Sequence, residues 1–296
     1  MTAQPREITD TQKNLMIATR YLLLILVALI FILPVIFMIV SSFKPDLQLL
    51  RDSSSIRAIL PVGDLSLNNY QEAFERVPMG RFIFNSVFVT MTTVLLSLVI
   101  NSMAAYSLAV IDWRGKGIII SIILATLIIP FEVIAIPMLL LVNQLPWIGA
   151  GGFETGWLNS YHVQIVPFIA DSLSIFLFYT YFKDLPGDLV EAARIDGANI
   201  FQIYYRVFIP ISGPVIATVA ILKFLPMWNQ YLWPLMTVQR EELRPVMVGL
   251  QYFFQLNVQW GEIMAYLTII TVPVLIFYLS LQRAFIESIA STGIKG

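Results

Sequence analysis

The sequence predicts an all-α, polytopic membrane protein with six spanning helices, and two observations carry the prediction. Of its 296 residues, 58% are hydrophobic and 12% charged, whereas about a quarter are charged in a soluble domain. No charge occurs from Tyr21 to Phe43, from Phe82 to Ile111 or from Ile263 to Gln282, and about 20 apolar residues cross a bilayer as a helix.

The elements follow in chain order. Residues 1–15 are polar and mixed in charge, with Arg6, Glu7, Asp10 and Lys13, and form an N-terminal tail. The first span covers 16–41 and tolerates Pro34, because neighbouring helices re-satisfy the freed carbonyl. Its apolar run is too long for a signal peptide and lacks a small-x-small cleavage site, so it remains an anchor. A polar stretch from Lys44 to Arg81 carries helix and turn signals at Pro61-Val62-Gly63-Asp64 and Asn68-Asn69-Tyr70. The second span, 82–111, is separated from the third, 117–142, only by Asp112-Trp113-Arg114-Gly115-Lys116, which predicts antiparallel neighbours. After a loop rich in Gly and Trp comes the fourth span, 162–182, then a polar segment, 183–206. The fifth span, 207–236, contains Pro210, Pro214, Pro226 and Pro234 and is expected to be broken or kinked. The sixth covers 262–282, and a tail, 283–296, ends the chain.

Composition removes several functions. A net charge of −1 excludes a strongly basic nucleic-acid binder. The absence of Cys removes thiolate catalysis and Cys-based metal sites, and a single His, His162, argues against a His-rich metal centre. Six spans put both termini on one side of the membrane. The Lys and Arg residues, among them Arg114, Lys116, Lys183, Arg194 and Arg206, favour that side as the cytoplasm. The segment 183–206 is then cytoplasmic.

That segment holds Pro186-Gly187-Asp188-Leu189-Val190-Glu191-Ala192-Ala193-Arg194-Ile195-Asp196-Gly197-Ala198. Asp188 followed three residues later by Glu191 predicts a capping box and a helix start. Ala192 and Ala193 keep one face flat for a closely approaching partner, and Gly197 suits a helix end with positive φ. At this level two readings stay open: an amphipathic helix lying on the membrane surface, or a docking element.

The spacing Glu191-Ala192-Ala193, three residues, Gly197, nine residues, Val207-Phe208-Ile209-Pro210 resembles the EAA signature of binding-protein-dependent ABC importer permeases. Val207 and Ile209 stand where the family has Ile and Leu. The likeness runs over most of the chain and is closest to MalG-type permeases of carbohydrate importers. Asn85-Ser86, Ala104-Ala105-Tyr106-Ser107-Leu108-Ala109, Ile129-Pro130-Phe131-Glu132-Val133, Ile136-Pro137 and Trp228-Asn229 carry it further. The resemblance implies an ABC importer type I permease fold. It implies a coupling helix around Asp188, Glu191, Ala192, Ala193, Asp196, Gly197 and Ala198 that seats in an ATP-binding subunit. It also implies a tail, Gly293, Lys295 and Gly296, reaching toward the nucleotide-binding dimer. The implied partners are a second, MalF-like permease, an ATP-binding subunit dimer, an extracytoplasmic solute-binding protein, membrane lipid and a saccharide, all at the bacterial inner membrane. ATP and Mg belong to the partners, and the chain binds no cofactor of its own. It has no Gly-x-x-x-x-Gly-Lys-Ser/Thr phosphate loop and is a transport subunit, not an enzyme.

Three spans carry a charge in their interior, Glu132, Asp171 and Lys223, and an ionisable group inside a bilayer is a functional candidate. Glu132 falls in the family's Pro-Phe-Glu stretch, whereas Asp171 and Lys223 do not belong to the pattern. Lys223 reads either as a cation for an anionic solute, a uronate oligosaccharide or glycerol phosphodiester, or as an ion-pair partner of Asp171 or Glu132. Trp228 and Asn229 are candidates for the solute path or its gate, while Trp233 reads as an interface residue. The resemblance makes the loop Thr237–Gly261 a contact for the binding protein, with Gln251, Tyr252 and Gln255 as candidates. Gly149-Ala150-Gly151-Gly152-Phe153-Glu154 looks like an insertion, either flexible filler or a contact for a partner. An ion-coupled secondary carrier is the remaining alternative.

Overall fold

The computed structural model describes residues 10–149, 152–255 and 257–293. The chain divides into two compact units, one of residues 1–76 and 253–269 and the other of residues 77–252 and 270–296.

The first unit opens with α1 (Asp10–Ser41), which starts inside the expected tail and presents nearly all its apolar side chains to the surroundings. Then come α2 (Asp46–Asp52), a 3-10 turn at Ile56–Ile59, and α3 (Asn68–Arg76). Polar side chains hold this connection together. Lys44 is buried, and its Nζ donates to Asp52 Oδ2 at 2.9 Å and to the Arg57 carbonyl at 2.6 Å. That hydrogen bond holds the Asp52 carboxyl below the usual carboxylate range. Gln48 bridges the Val62 carbonyl and the Asp64 amide. Across the unit, Arg76 pairs with Glu262 at 2.7 Å, and Asp46 accepts from the Trp260 and Gly261 amides at 2.9 and 2.8 Å. A Cβ on Gly261 would lie 2.4 Å from the Asn69 side-chain nitrogen, so a larger residue there would push that amide off the Ser42 and Lys44 carbonyls it holds.

The second unit is built on α4 (Met79–Val110). Ser86, Thr90, Thr93, Ser97 and Asn101 recur on it at helical spacing and are all buried, whereas Leu95, Leu96, Val99 and Ile100 are exposed. This is the membrane arrangement, in which small and polar residues lie at helix contacts and aliphatic ones face lipid. The third span is broken into α5 (Lys116–Thr126) and α6 (Phe131–Val142), bent by 106°. Pro130 causes this, since it lacks an N–H and pushes the preceding residue out of the helical region. A single helix over 117–142 is therefore corrected. So is the expected pairing with the second span, because α5 packs on α8.

The loop expected as filler contains two antiparallel strands, β1 (Pro146–Gly149) and β2 (Gly152–Thr155), with Trp147 opposite Glu154 and Ile148 opposite Phe153. Ala150 and Gly151 lie outside the described residues. The fourth span, Tyr161–Lys183, comprises α7 (Tyr161–Ile165), a 3-10 turn at Val166–Phe168, a break, and α8 (Ser172–Lys183). Next are α9 (Asp188–Ile195), α10 (Ile200–Ile203), a π turn at Tyr204–Phe208 and α11 (Ile209–Ile211). The chain then bends by 79° into α12 (Gly213–Trp228). The predicted break in the fifth span thus falls at Ser212, between Pro210 and Pro214, while Pro226 is accommodated within α12. Helices α13 (Leu232–Thr237) and α14 (Val246–Gly249) precede α15 (Trp260–Gly293). The last helix continues through most of the expected tail. Among the described residues, four helices are long and apolar enough to cross a membrane, or six if each bent pair is one span.

One core of this unit gathers Ala105, Tyr106, Phe178, Phe182, Ile203, Phe208, Val215 and Val219. A second surrounds Trp233 with Val142, Val163 and Val238. Trp233 is fully buried, its Nε1–H donates to the Val163 carbonyl at 2.7 Å, and Phe131 and Phe168 meet its ring edge-on. The interface reading of Trp233 is corrected: this indole is a core residue with its one donor satisfied.

Candidate functional site

Two polar sites interrupt the apolar second unit. The first is α9. Its expected cap is not formed: Gly187 already has helical backbone angles, the Val190 and Glu191 amides bond to the Gly187 carbonyl, and no side chain caps the helix. Asp188 is consequently the first helical residue, where its charge still suits the positive end of the helix dipole. A capping box does occur eleven residues later at Asn199 and Gln202, whose side chains each accept from the other's backbone amide at 2.9 and 2.8 Å.

The other end of α9 closes as the sequence predicted. Gly197 has φ +80°, its amide bonds to the Arg194 carbonyl at 3.0 Å, and the Ala198 amide bonds to Ala193 at 2.9 Å. These are the two bonds of a Schellman motif. Val190, Ala193 and Ala198 turn inward onto the Tyr106 and Phe208 core. Glu191, Ala192, Arg194 and Asp196 are exposed, and Ile195 is 86% exposed. The adjacent alanines thus sit on different sides of the helix, and only Ala192 presents a flat outer surface. Behind α9, Tyr106 Oη donates to the Ile200 carbonyl at 3.2 Å, and the Ser102 and Tyr204 hydroxyls bond at 2.7 Å. α9 and the turn after it are therefore joined to α4 through packed and hydrogen-bonded contacts.

The second site lies at mid-span. Asp171 sits at the break in the fourth span and caps α8, its Oδ1 accepting from the Ser174 amide at 2.9 Å and its Oδ2 from the Ser174 hydroxyl at 2.8 Å. Lys223 of α12 donates to the same Oδ2 at 2.8 Å. Of the two arrangements open to Lys223, the structure has the ion pair, and its partner is Asp171. Asn101 Oδ1 accepts from the Asp171 amide at 3.2 Å, and Asn101 Nδ2 donates to the Ile169 carbonyl at 3.0 Å and to the Ser97 hydroxyl at 2.7 Å. Asn101 thereby satisfies backbone groups left free by the break, the condition for broken helices in lipid.

The other candidates are dispersed. Glu132, in the first turn of α6, is exposed, and its side chain makes no hydrogen bond or ion pair among the described residues. Trp228 is 2% exposed, with its ring parallel to Phe224, which in turn stacks on Phe277 at 3.9 Å. Asn229 is exposed at the end of α12 and donates to the Leu225 carbonyl at 2.9 Å. Gln251 and Gln255 are exposed, whereas Tyr252 is half-buried with its hydroxyl against the Arg244 guanidinium. Gly293 ends α15, and Lys295 and Gly296 lie outside the described residues. No cluster of His, Cys, Asp and Glu able to hold a metal occurs among the described residues.

Sequence reasoning missed Ser97, Asn101 and Gln164. Ser97 and Asn101 had a signal, polar side chains four apart inside an apolar run. Gln164 is buried and donates to the Leu243 carbonyl at 3.2 Å. Asn85, quoted only as part of a matching stretch, donates to the Glu242 and Arg244 carbonyls at 2.8 and 2.9 Å and accepts from Tyr161 Oη. It fastens the loop before α14.

Residues 97–291 match the family model described as binding-protein-dependent transport system inner membrane component. The chain is 32% identical over 272 residues to the arabinooligosaccharides transport system permease protein AraQ of Halalkalibacterium halodurans, covering 91% of this chain and 93% of that one. It is 30% identical to the probable starch degradation products transport system permease protein AmyC of Thermoanaerobacterium thermosulfurigenes, covering 92% and 94%. The fold matches the crystal structure of a bacterial ABC transporter involved in the import of the acidic polysaccharide alginate. There the TM-score is 0.74 at 24% identity, over 96% of this chain and 100% of that one.

Proposed function

Because the chain belongs to the binding-protein-dependent transport system inner membrane components, a family of ABC importer permeases and not of enzymes, we propose that it passes a saccharide, an oligosaccharide in particular, inward across the cytoplasmic membrane. It works with a second permease and an extracytoplasmic solute-binding protein. Two ATP-binding subunits hold ATP and Mg and hydrolyse the nucleotide. Residues 16–282 form the transmembrane permease domain, both termini are cytoplasmic, and the tail from Gly293 to Gly296 reaches toward the nucleotide-binding dimer. Glu132, Asp171, Lys223, Trp228 and Asn229 belong to the solute path or its gate, and Gln251, Tyr252 and Gln255 meet the binding protein.

One observation carries this reading: α9 is closed by a Schellman motif, packed inward through Val190, Ala193 and Ala198, and bare outward at Ala192 and Ile195. A short helix anchored on one side and bare on the other is suited to seat in a partner's cleft and carry its motion into the bundle. The saccharide is supported by two relatives, AraQ, a permease of arabinooligosaccharide transport, and AmyC, a probable permease for starch degradation products.

The absence of native Cys makes the test clean. A single Cys at Ala192 or Ile195, in the complete importer reconstituted in proteoliposomes, should crosslink to the ATP-binding subunit, whereas one at Leu140 should not. Uptake of radiolabelled arabino- and gluco-oligosaccharides should require ATP and the binding protein. Crosslinking no better than at Leu140, or uptake persisting without the ATP-binding subunits, refutes the assignment.

A further inference from the structure

The ion pair at mid-span says something about the solute. Asp171 lies at the midpoint of the fourth span, and Ser97 and Asn101 lie near the middle of α4. The side chains of Lys223 and Asp171 are 11% and 30% exposed. Ionisable groups in a span turn to the bundle interior or to a water-filled cavity, because lipid does not solvate them. Broken backbone, as at Ile169 to Asp171, is tolerated in the same places. The exposed part of this pair therefore faces a route that water reaches.

At this pair the charge is balanced. The Asp171 carboxylate is fixed by Ser174 on its own helix end and by Lys223, with Ser97 Oγ and Asn101 Nδ2 each 3.5 Å from Oδ2. It is not free to swing away and release the ammonium. An arriving carboxylate would meet Asp171 at close range and would have to compete with it for Lys223. A hydroxyl meets no such opposition, because it donates to the carboxylate or accepts from the ammonium.

We propose that Asp171 is a specificity-determining residue that neutralises Lys223 on the translocation route, so that the solute is an uncharged saccharide and a uronate oligosaccharide is refused. The inference rests on the reading of the chain as a saccharide permease and narrows its substrate class.

The experiment uses the complete importer in lipid nanodiscs and equilibrium dialysis of two labelled probes, galactotriose and trigalacturonate, which differ only in oxidation at C6. Wild type should bind galactotriose about tenfold more tightly than trigalacturonate or better, as one uncompensated charge at close range dictates. Asp171→Asn should shift the ratio toward trigalacturonate by about tenfold, and the shift should shrink at about 1 M salt, where the screening length is ~3 Å. Asp171→Asn combined with Lys223→Met should restore most of the neutral preference, which a merely structural loss would not do. Should Asp171→Asn fail to assemble, Lys223→Met alone should widen the preference for galactotriose. Equal binding of both probes by wild type, or an unchanged ratio in Asp171→Asn, overturns the inference while leaving a saccharide permease intact. Binding and uptake of no saccharide of either charge by wild type would instead overturn the saccharide reading itself.

Discussion

Replacing Gly197 by alanine should loosen the end of α9 by about 1–2 kcal/mol, the cost of a left-handed conformation for an L-residue. The figure contains no steric part, because no heavy atom lies within 4 Å of where a Cβ would stand. The φ of +80° is the entire penalty. The order of tolerance is then glycine, asparagine, alanine, valine, since Asn visits this region more readily and a β-branched residue hardly at all. Two amides report it directly, those of Gly197 and Ala198, which donate to Arg194 and Ala193. A loss of 1–2 kcal/mol in local closing corresponds to exchange about 5–30 times faster. Hydrogen exchange of the peptide spanning α9, measured on the assembled importer, gives that number, and solute-stimulated ATPase should fall in the same order of variants. An Ala variant that exchanges like wild type, or an Asn variant worse than Val, would refute the reasoning. It would mean that the residue acts through contact with a partner and not through backbone geometry.

Other sites give independent expectations. Asn101→Ala removes the partners of the Ile169 carbonyl and the Asp171 amide. It should cost about 1–3 kcal/mol per buried group left unsatisfied, read as a lower thermal midpoint of the purified complex. Trp233→Phe keeps an aromatic six-membered ring but removes the N–H and strands the Val163 carbonyl, so a loss of at least about 1–3 kcal/mol is expected where an interface tryptophan would give almost none. The Asp52 carboxyl titrates below its ordinary 3.8. The Lys44 contact therefore stabilises fully above pH 3.8 and is lost as pH falls through the lowered value. Hydrogen exchange at the Leu60 and Val62 amides should be insensitive to this group between pH 5 and 7 and accelerate in excess of the intrinsic pH trend only under stronger acid.

The membrane class was legible because the length and apolarity of the helices decide it locally. Gly197 was legible for a similar reason: one residue type suits a left-handed helix end. The start of α9 was not, since Asp188 and Glu191 satisfy the capping pattern but Gly187 is free to enter the helix and takes the cap position. Pro130 was visible, yet its consequence depends on whether neighbours can support an unbroken helix across it, and a chain read alone does not show its neighbours. Trp233 failed in the same way, as hydropathy does not separate a buried indole from one at the membrane edge. The Asp171 network joins residues 70 and 52 positions apart. The charges pointed to each other, but Asn101, which completes the network, carries no charge and gave only a polar interruption in an apolar run.

The first unit sets a schedule for biosynthesis. Arg76 and Glu262 are 186 residues apart, and Asp46 bonds to amides 214 and 215 residues downstream. A ribosome adding about 5–20 residues per second separates the synthesis of Arg76 and Glu262 by roughly ten to forty seconds. For that interval the nascent N-terminal segment must wait with Asp46 and Arg76 lacking their late partners, and it completes its fold only when the last helix emerges. A chain stalled or truncated before Trp260 would have inserted most of its spans, yet would never close its first unit.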